Sequence, residues 1–291
     1  MKFQHSLAAI LVAALWGINF GAAKYGMEHF PPLLLTCFRF SLVALFLLPF
    51  ARRFPAPTMK RLALLALTLG TMHFGLMFTG LAWGLDVSTA AIASQLGVPF
   101  SCLLGAIFLS DQLGMWRSTG LMISFVGIML IAGTPDVAKN FPAFMLTVAG
   151  AMCWAASNIQ IKKLGQMPVM RMLFWMALFS APMLLVSSLV LEGSDPLERL
   201  RTVPLRPALG LLYTVVFSTL VAYGLWYWLM ARFPITQVAP YSLLVPVFGV
   251  ATGVLAFGDE FTWFKAVGAA VTMTGVAIIV IRRPRTALQV E

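Results

Sequence analysis

Two short stretches carry the side chains whose types and spacing could do chemistry in an otherwise apolar chain. The first runs Trp16-Gly17-Ile18-Asn19 and on to Lys24 and Gly26; the second runs from Trp154 to Asn158 and on to Lys163 and Gly165. In each, a Trp precedes an Asn, and a Lys follows that Asn by five places and a Gly by seven. An amide in the middle of an apolar run is costly if it stays unpaired. Either it bonds a neighbouring helix, at a net gain of about 1 kcal/mol, or it faces a wet cavity and binds the ammonium or carboxylate of a substrate. A Trp ring at that depth is no interfacial anchor and could stack on an aromatic ligand.

Other polar groups fall within apolar runs. His73 stands near Met77 and Phe78, and Gln95 precedes Pro99. Tyr241 and Ser242 precede Pro246, while Ser218 and Tyr223 punctuate an aromatic-rich run. An ionisable group inside a membrane span is a functional candidate by default; for His73 a structural hydrogen bond is the alternative. Dense aromatics are more often packing, but buried hydroxyls still need partners. A proline removes a backbone donor, so Pro99 and Pro246 read as gating hinges. Arg39 has two readings, a structural helix cap or an attractor of anions. Lys24 and Lys163 read as anchors whose long stems reach the interface.

The elements that must position these groups are membrane helices. Of 291 residues, 60% are hydrophobic and only 10% are charged, against about 25% charged in a soluble domain. Runs of roughly 20 apolar residues span a bilayer, and they fill nearly the whole chain. The reading gives ten helices, at 6–26, 32–50, 61–83, 88–109, 115–133, 141–163, 170–191, 207–231, 235–257 and 264–281. The first is read as a permanent helix and not a cleaved signal, because its counterpart at Trp154 lies mid-chain. The formal charge of +10 does not point to nucleic acid, since the cations lie mostly in short connections, where they orient helices. With the N-terminus cytoplasmic, 13 Lys and Arg fall inside (Lys2, Arg282, Arg283 and Arg285 among them) and 6 outside. That bias places both termini in the cytoplasm.

A second motif repeats. Asp111 is followed by Trp116-Arg117, Gly120 and Gly127; Asp259 is followed at the same spacings by Phe264-Lys265, Gly268 and Gly275. The chain therefore divides into two units, 1–139 and 140–291, of five helices each. An odd number of helices makes the units insert in opposite directions, a plan of secondary transporters whose sites lie between the repeats near the midplane.

These features, from the Ala-Leu-Trp16-Gly-Ile-Asn19-Phe start to the acid-rich turns, resemble the drug/metabolite transporter superfamily, EamA type, over essentially the whole chain. Within it they look most like YddG-type bacterial amino-acid exporters. The resemblance implies a central cavity lined by helices 1, 3, 4, 6, 8 and 9 and export of aromatic and other neutral amino acids across the inner membrane. One chain holds both units, so a monomer suffices. All ten acids, Asp111 and Glu291 included, fall at helix ends, in loops or at the terminus. Proton-coupled carriers place a carboxylate or His within the span; only His73, and less plausibly His5, remains for that, and a facilitative carrier is expected. The alternatives are a proton-coupled drug or metabolite efflux carrier and a membrane-embedded lipid-modifying enzyme. No catalytic motif, nucleotide loop or metal spacing occurs, so no cofactor or metal is expected, and Cys37, Cys102 and Cys153 read as buried thiols.

Overall fold

The computed structural model describes residues 3–109, 114–193, 195–233 and 235–281. Asp111 of the repeated motif, Lys2, Arg282, Arg283, Arg285 and Glu291 lie outside the described residues. Among the described residues the fold is all-helical. Nine helices are long and apolar enough to cross a membrane: α1 (Phe3–Gly26), α3 (Ala56–Ala82), α4 (Val87–Leu109), α5 (Met115–Ala132), α6 (Phe141–Leu164), α7 (Val169–Leu191), α8 (Leu205–Met230), α9 (Ala239–Phe257) and α10 (Trp263–Ile281). These nine are counted among the described residues, and a shorter apolar helix, α2 (Pro32–Phe46), lies between α1 and α3. The sequence reading carried α2 to residue 50, but Pro49 leaves only a 3-10 turn over Leu48–Phe50. Large apolar side chains such as Ile107, Phe108, Met122, Met129, Val190 and Leu255 point outward. A surface like that suits lipid, not water.

Short connections make successive helices run in alternate directions. Packing partners then recur in pairs. Helix α1 lies along α8 and α9, and α6 lies along α3 and α4; α2 packs on α7, and α5 on α10. The α5–α10 contact is reciprocal. A Cβ at Gly120 would stand 2.7 Å from the Gly275 carbonyl oxygen, and one at Gly127 would stand 2.7 Å from that of Gly268. Small residues let membrane helices approach closely where no hydrophobic effect drives them together. Gly127→Ala is therefore expected to force the helices apart at a cost of about 1–3 kcal/mol. The check is a lower apparent melting temperature of the purified protein, with Gly114→Ala, which has no atom within 4 Å, left unchanged.

Several spans are not continuous α-helices. Helix α3 carries a π-helical stretch at Ala66–His73, and α8 carries one at Val216–Val221. Helix α4 breaks after Ser94 and resumes at Gly97. Helix α9 begins as a 3-10 turn, Ala239–Leu244, before its α-helical part Val245–Phe257. The sequence reading had Pro99 and Pro246 breaking backbone pairing. Each instead lies in the first turn of its resumed half-helix, where the missing N–H has no intrahelical acceptor to lose. The interruption is upstream, at Gln95-Leu96 and at Ser242.

Candidate functional site

The discontinuous segments converge. A cavity of about 600 Å³ is walled by nine of the ten helices, with α5 alone contributing nothing. The expectation of six lining helices is thus too narrow: α2 adds Arg39 and Phe40, α7 adds Met172, Leu173 and Met176, and α10 adds Val280. The wall runs to the ends of α7, α8, α9 and α10 at Met172, Met230, Ala239 and Val280, all on the face where α1 begins. Towards the opposite face it stops well short of the helix ends, at Phe20, Met77, Ser94, Trp154 and Ser218.

The first Trp–Asn pair is held by α8. Its π-helical stretch leaves the Ser218 carbonyl to accept from Trp16 Nε1 at 3.2 Å. That bond fixes the indole against Tyr223 and Trp226, with ring centroids 5.3 and 5.2 Å away. Asn19, one turn on, is buried, and its Oδ1 has no hydrogen-bond partner. The second pair differs. Trp154 packs on the His73 ring at 5.2 Å, in space that Gly97 leaves open, since a Cβ there would come within 2.8 Å of the indole. Asn158 donates to Ser101 Oγ at 3.0 Å. Both pairs line the one cavity.

His73 closes the π-helical stretch of α3 and is bonded through Nδ1 to the Gly150 carbonyl at 2.9 Å. Gln95 donates to the Ser242 carbonyl at 3.2 Å, joining the interruption in α4 to that in α9. Met77, Gln95, Ser218, Tyr223 and Ser242 all line the cavity. Phe78 and Tyr241 do not. Phe78 is fully buried against Phe74, because its side of α3 faces the packed helices. Tyr241 turns towards α1 and donates to Ser6 Oγ at 2.8 Å. Lys24 and Lys163 lie over Phe257 and Phe108, at 4.8 and 5.8 Å from the ring centres. Of the three cysteines only Cys37 is buried; Cys102 and Cys153 are half-buried.

Arg39 did not stand among the candidate site residues, yet among the described residues it is the only Lys or Arg on the cavity wall, and no described Asp or Glu lies there. It is 1% exposed. Nε and Nη2 donate to Thr219 Oγ1 at 3.2 and 2.9 Å, and Nη1 has no partner. The guanidinium also lies over the Phe74 ring at 4.4 Å. The signal was legible: a lone cation within an apolar span.

The face opposite the cavity mouth is cross-linked. Lys265, placed by the sequence at the start of the last helix as the counterpart of Arg117, is 2% exposed. Its Nζ meets Asp86 Oδ2 at 3.0 Å, Asp136 Oδ2 at 3.3 Å and the Glu260 carbonyl at 3.1 Å. Asp259 Oδ2 accepts from Ser88 N and Oγ at 2.8 and 2.9 Å. Glu192 accepts from Leu33 N at 2.7 Å and Leu34 N at 3.2 Å, satisfying the start of α2.

An apolar helical chain whose helices wall a largely apolar cavity carrying a few polar groups has the form of a multi-pass membrane transporter. The sequence profile of the EamA-like transporter family matches residues 5–133 and 141–281. The chain belongs to that family. It is 34% identical over 285 residues to a probable amino-acid metabolite efflux pump of Salmonella typhimurium, covering 96% of this chain and 95% of the relative. A protein of the same description in Escherichia coli is 32% identical over the same shares. An S-adenosylmethionine/S-adenosylhomocysteine transporter of Chlamydia trachomatis is 26% identical, over 86% of this chain and 81% of the relative. A protein of known crystal structure shares the fold, with a TM-score of 0.64 over 96% of both chains at 16% identity. Membership in a family of transporters sets aside the lipid-modifying enzyme.

Proposed function

We propose that this chain exports neutral amino acids with bulky, above all aromatic, side chains across the bacterial inner membrane by alternating access. The observation that carries the reading is the cavity wall. Its volume of about 600 Å³ falls within the roughly 300–1,000 Å³ of small-molecule sites. Trp16, Phe20, Phe40, Phe74, Trp154, Tyr223 and Trp226 supply ring surface for an apolar side chain, and Asn19, Asn158, Gln95 and Ser242 supply polar groups. The names of the two bacterial relatives point to the same class of cargo.

We read residues 1–139 and 140–291 as two oppositely inserted five-helix units. The double profile match, the paired packing partners and the reciprocal glycine contacts of α5 and α10 support this. With both termini cytoplasmic, the cavity mouth faces the cytoplasm, and the Lys265 cluster closes the outer side. Rocking of one unit on the other, about the interruptions beside Pro99 and Pro246, would exchange the two openings. The carrier is facilitative and works as a monomer. Among the described residues no carboxylate lines the cavity, and His73 Nδ1 is already bonded to Gly150.

Counterflow in proteoliposomes tests the reading. Labelled Trp, Phe and Met are expected to exchange several-fold faster than Gly, and S-adenosylmethionine belongs in the panel. If no amino acid exchanges while unrelated drugs do, the drug-efflux reading replaces this one. Uphill uptake driven by a pH gradient alone, lost in His73→Ala, would refute the facilitative mechanism.

A further inference from the structure

Resting on the amino-acid reading, we infer that Arg39 and Asn19 are the charge-reading groups of the cavity: Arg39 binds the substrate's carboxylate and Asn19 its ammonium. A buried guanidinium is costly to hold without an anion. In the ordinary structural case an acid on a neighbouring helix pairs with it. Here the partners of Arg39 are the hydroxyls of Ser218 and Thr219 and the face of Phe74. Hydroxyls and a ring offset part of that cost but leave the charge unneutralised. Thr219 Oγ1 donates back to the Thr214 carbonyl at 2.8 Å. That hydroxyl is thereby oriented to accept from the guanidinium, which holds the planar group in one pose.

One edge of the guanidinium is therefore fixed, and Nη1, buried on a residue that lines the cavity, is left with an unused donor. Guanidinium geometry matches a carboxylate better than a point charge does. The complementary group is also present. Asn19 Oδ1 is an acceptor, buried, unpartnered and on the same wall. One free donor with full positive charge and one free neutral acceptor suit a zwitterion, whose carboxylate carries the compensating charge. They do not suit an organic cation, which would meet Arg39 with no acid to offset it. Asn158, the repeat counterpart of Asn19, already donates to Ser101, so the two asparagines are not equivalent.

The test is a binding series on the full-length protein in nanodiscs, read by thermal stabilisation and by displacement of labelled phenylalanine. Three probes share one ring: L-phenylalanine, L-phenylalaninamide without the carboxylate, and 3-phenylpropionate without the ammonium. Wild-type protein is expected to bind the amide at least tenfold more weakly than phenylalanine, the scale of a lost charge-assisted hydrogen bond. Arg39→Lys, which keeps the charge and loses the fork, is expected to weaken phenylalanine and bring its ratio to the amide within about threefold. Asn19→Ala is expected to narrow the gap between phenylalanine and 3-phenylpropionate while leaving discrimination against the amide.

Equal binding of phenylalanine and its amide to the wild type would overturn the proposal and leave the amino-acid reading standing. So would an amide discrimination that survives Arg39→Lys. Binding of 3-phenylpropionate with no binding of any amino acid would keep the carboxylate role of Arg39 and remove both the role of Asn19 and the amino-acid reading. Binding of none of the three by folded wild-type protein would overturn it outright.

Discussion

Lys265→Met is expected to destabilise the protein by about 3 kcal/mol, the low end of the cost of breaking a buried ion pair. The Lys265 ammonium is 2% exposed and Asp86 is 19% exposed, whereas Asp136 at 46% is largely served by water. The effect is thus that of one well-buried pair, with the third member contributing little. Asp86 has a second task. Its carboxylate accepts from Thr89 N at 2.6 Å and Thr89 Oγ1 at 2.9 Å and caps α4. Without Lys265 that half-buried carboxylate has only the cap to hold it. A double-mutant cycle with Asp86→Asn, followed by thermal unfolding, checks the point: the double variant is expected to lose clearly less than the sum of the singles. Additive losses, or a loss below about 0.5 kcal/mol for Lys265→Met, would make the cluster a solvated surface pair of small worth. Because the cluster binds α10 to the start of α4 on the face away from the cavity mouth, the same variant is expected to label faster at a cysteine introduced at Gly84, which borders the cluster.

Trp154→Ala is expected to weaken binding of an aromatic amino acid by about tenfold while leaving a small one such as threonine within about threefold. A lost ring–ring contact is worth about 0.5–1.5 kcal/mol beyond area, and the uncovered ring area adds about 25 cal/mol per Å². Trp16→Ala is expected to do the same and also to loosen α8, because Trp16 bonds the Ser218 carbonyl. Trp16→Phe separates the two effects: the ring stays and the hydrogen bond goes. Displacement assays with Trp, Phe and Thr against each variant read the outcome. Equal losses for aromatic and small substrates would show that the rings build the wall and do not select cargo.

Much of the fold was legible in the residues. Nine of the ten apolar runs appear, among the described residues, as helices long and apolar enough to cross a membrane, and the second is the shorter Pro32–Phe46; lipid leaves the backbone no partner but its own helix. The glycines at 120, 127, 268 and 275 were found by spacing alone and meet across α5 and α10. The site was legible in part. Trp16, Asn19, Trp154 and Asn158 reach one cavity, as intramembrane polarity suggested. Phe78 and Tyr241 were misplaced because composition cannot say which side of a helix faces the interior. Arg39 stands outside the candidate site drawn from the sequence, yet it lines the same cavity.

The sequence by itself determined that this is a multi-pass helical membrane protein and which few polar groups lie within its spans. Composition and run length suffice for that, because the bilayer sets both. Only the tertiary structure decided how those groups are used. It bonded Asn158 to Ser101 and left Asn19 Oδ1 open, though the two motifs match in spacing. It made Lys265, a helix-end cation in the sequence, a buried link with Asp86. It set Arg39 on the cavity wall beside hydroxyls and, among the described residues, no acid. Pairing of polar groups is a property of neighbours brought together from distant parts of the chain, and local residue types do not specify it.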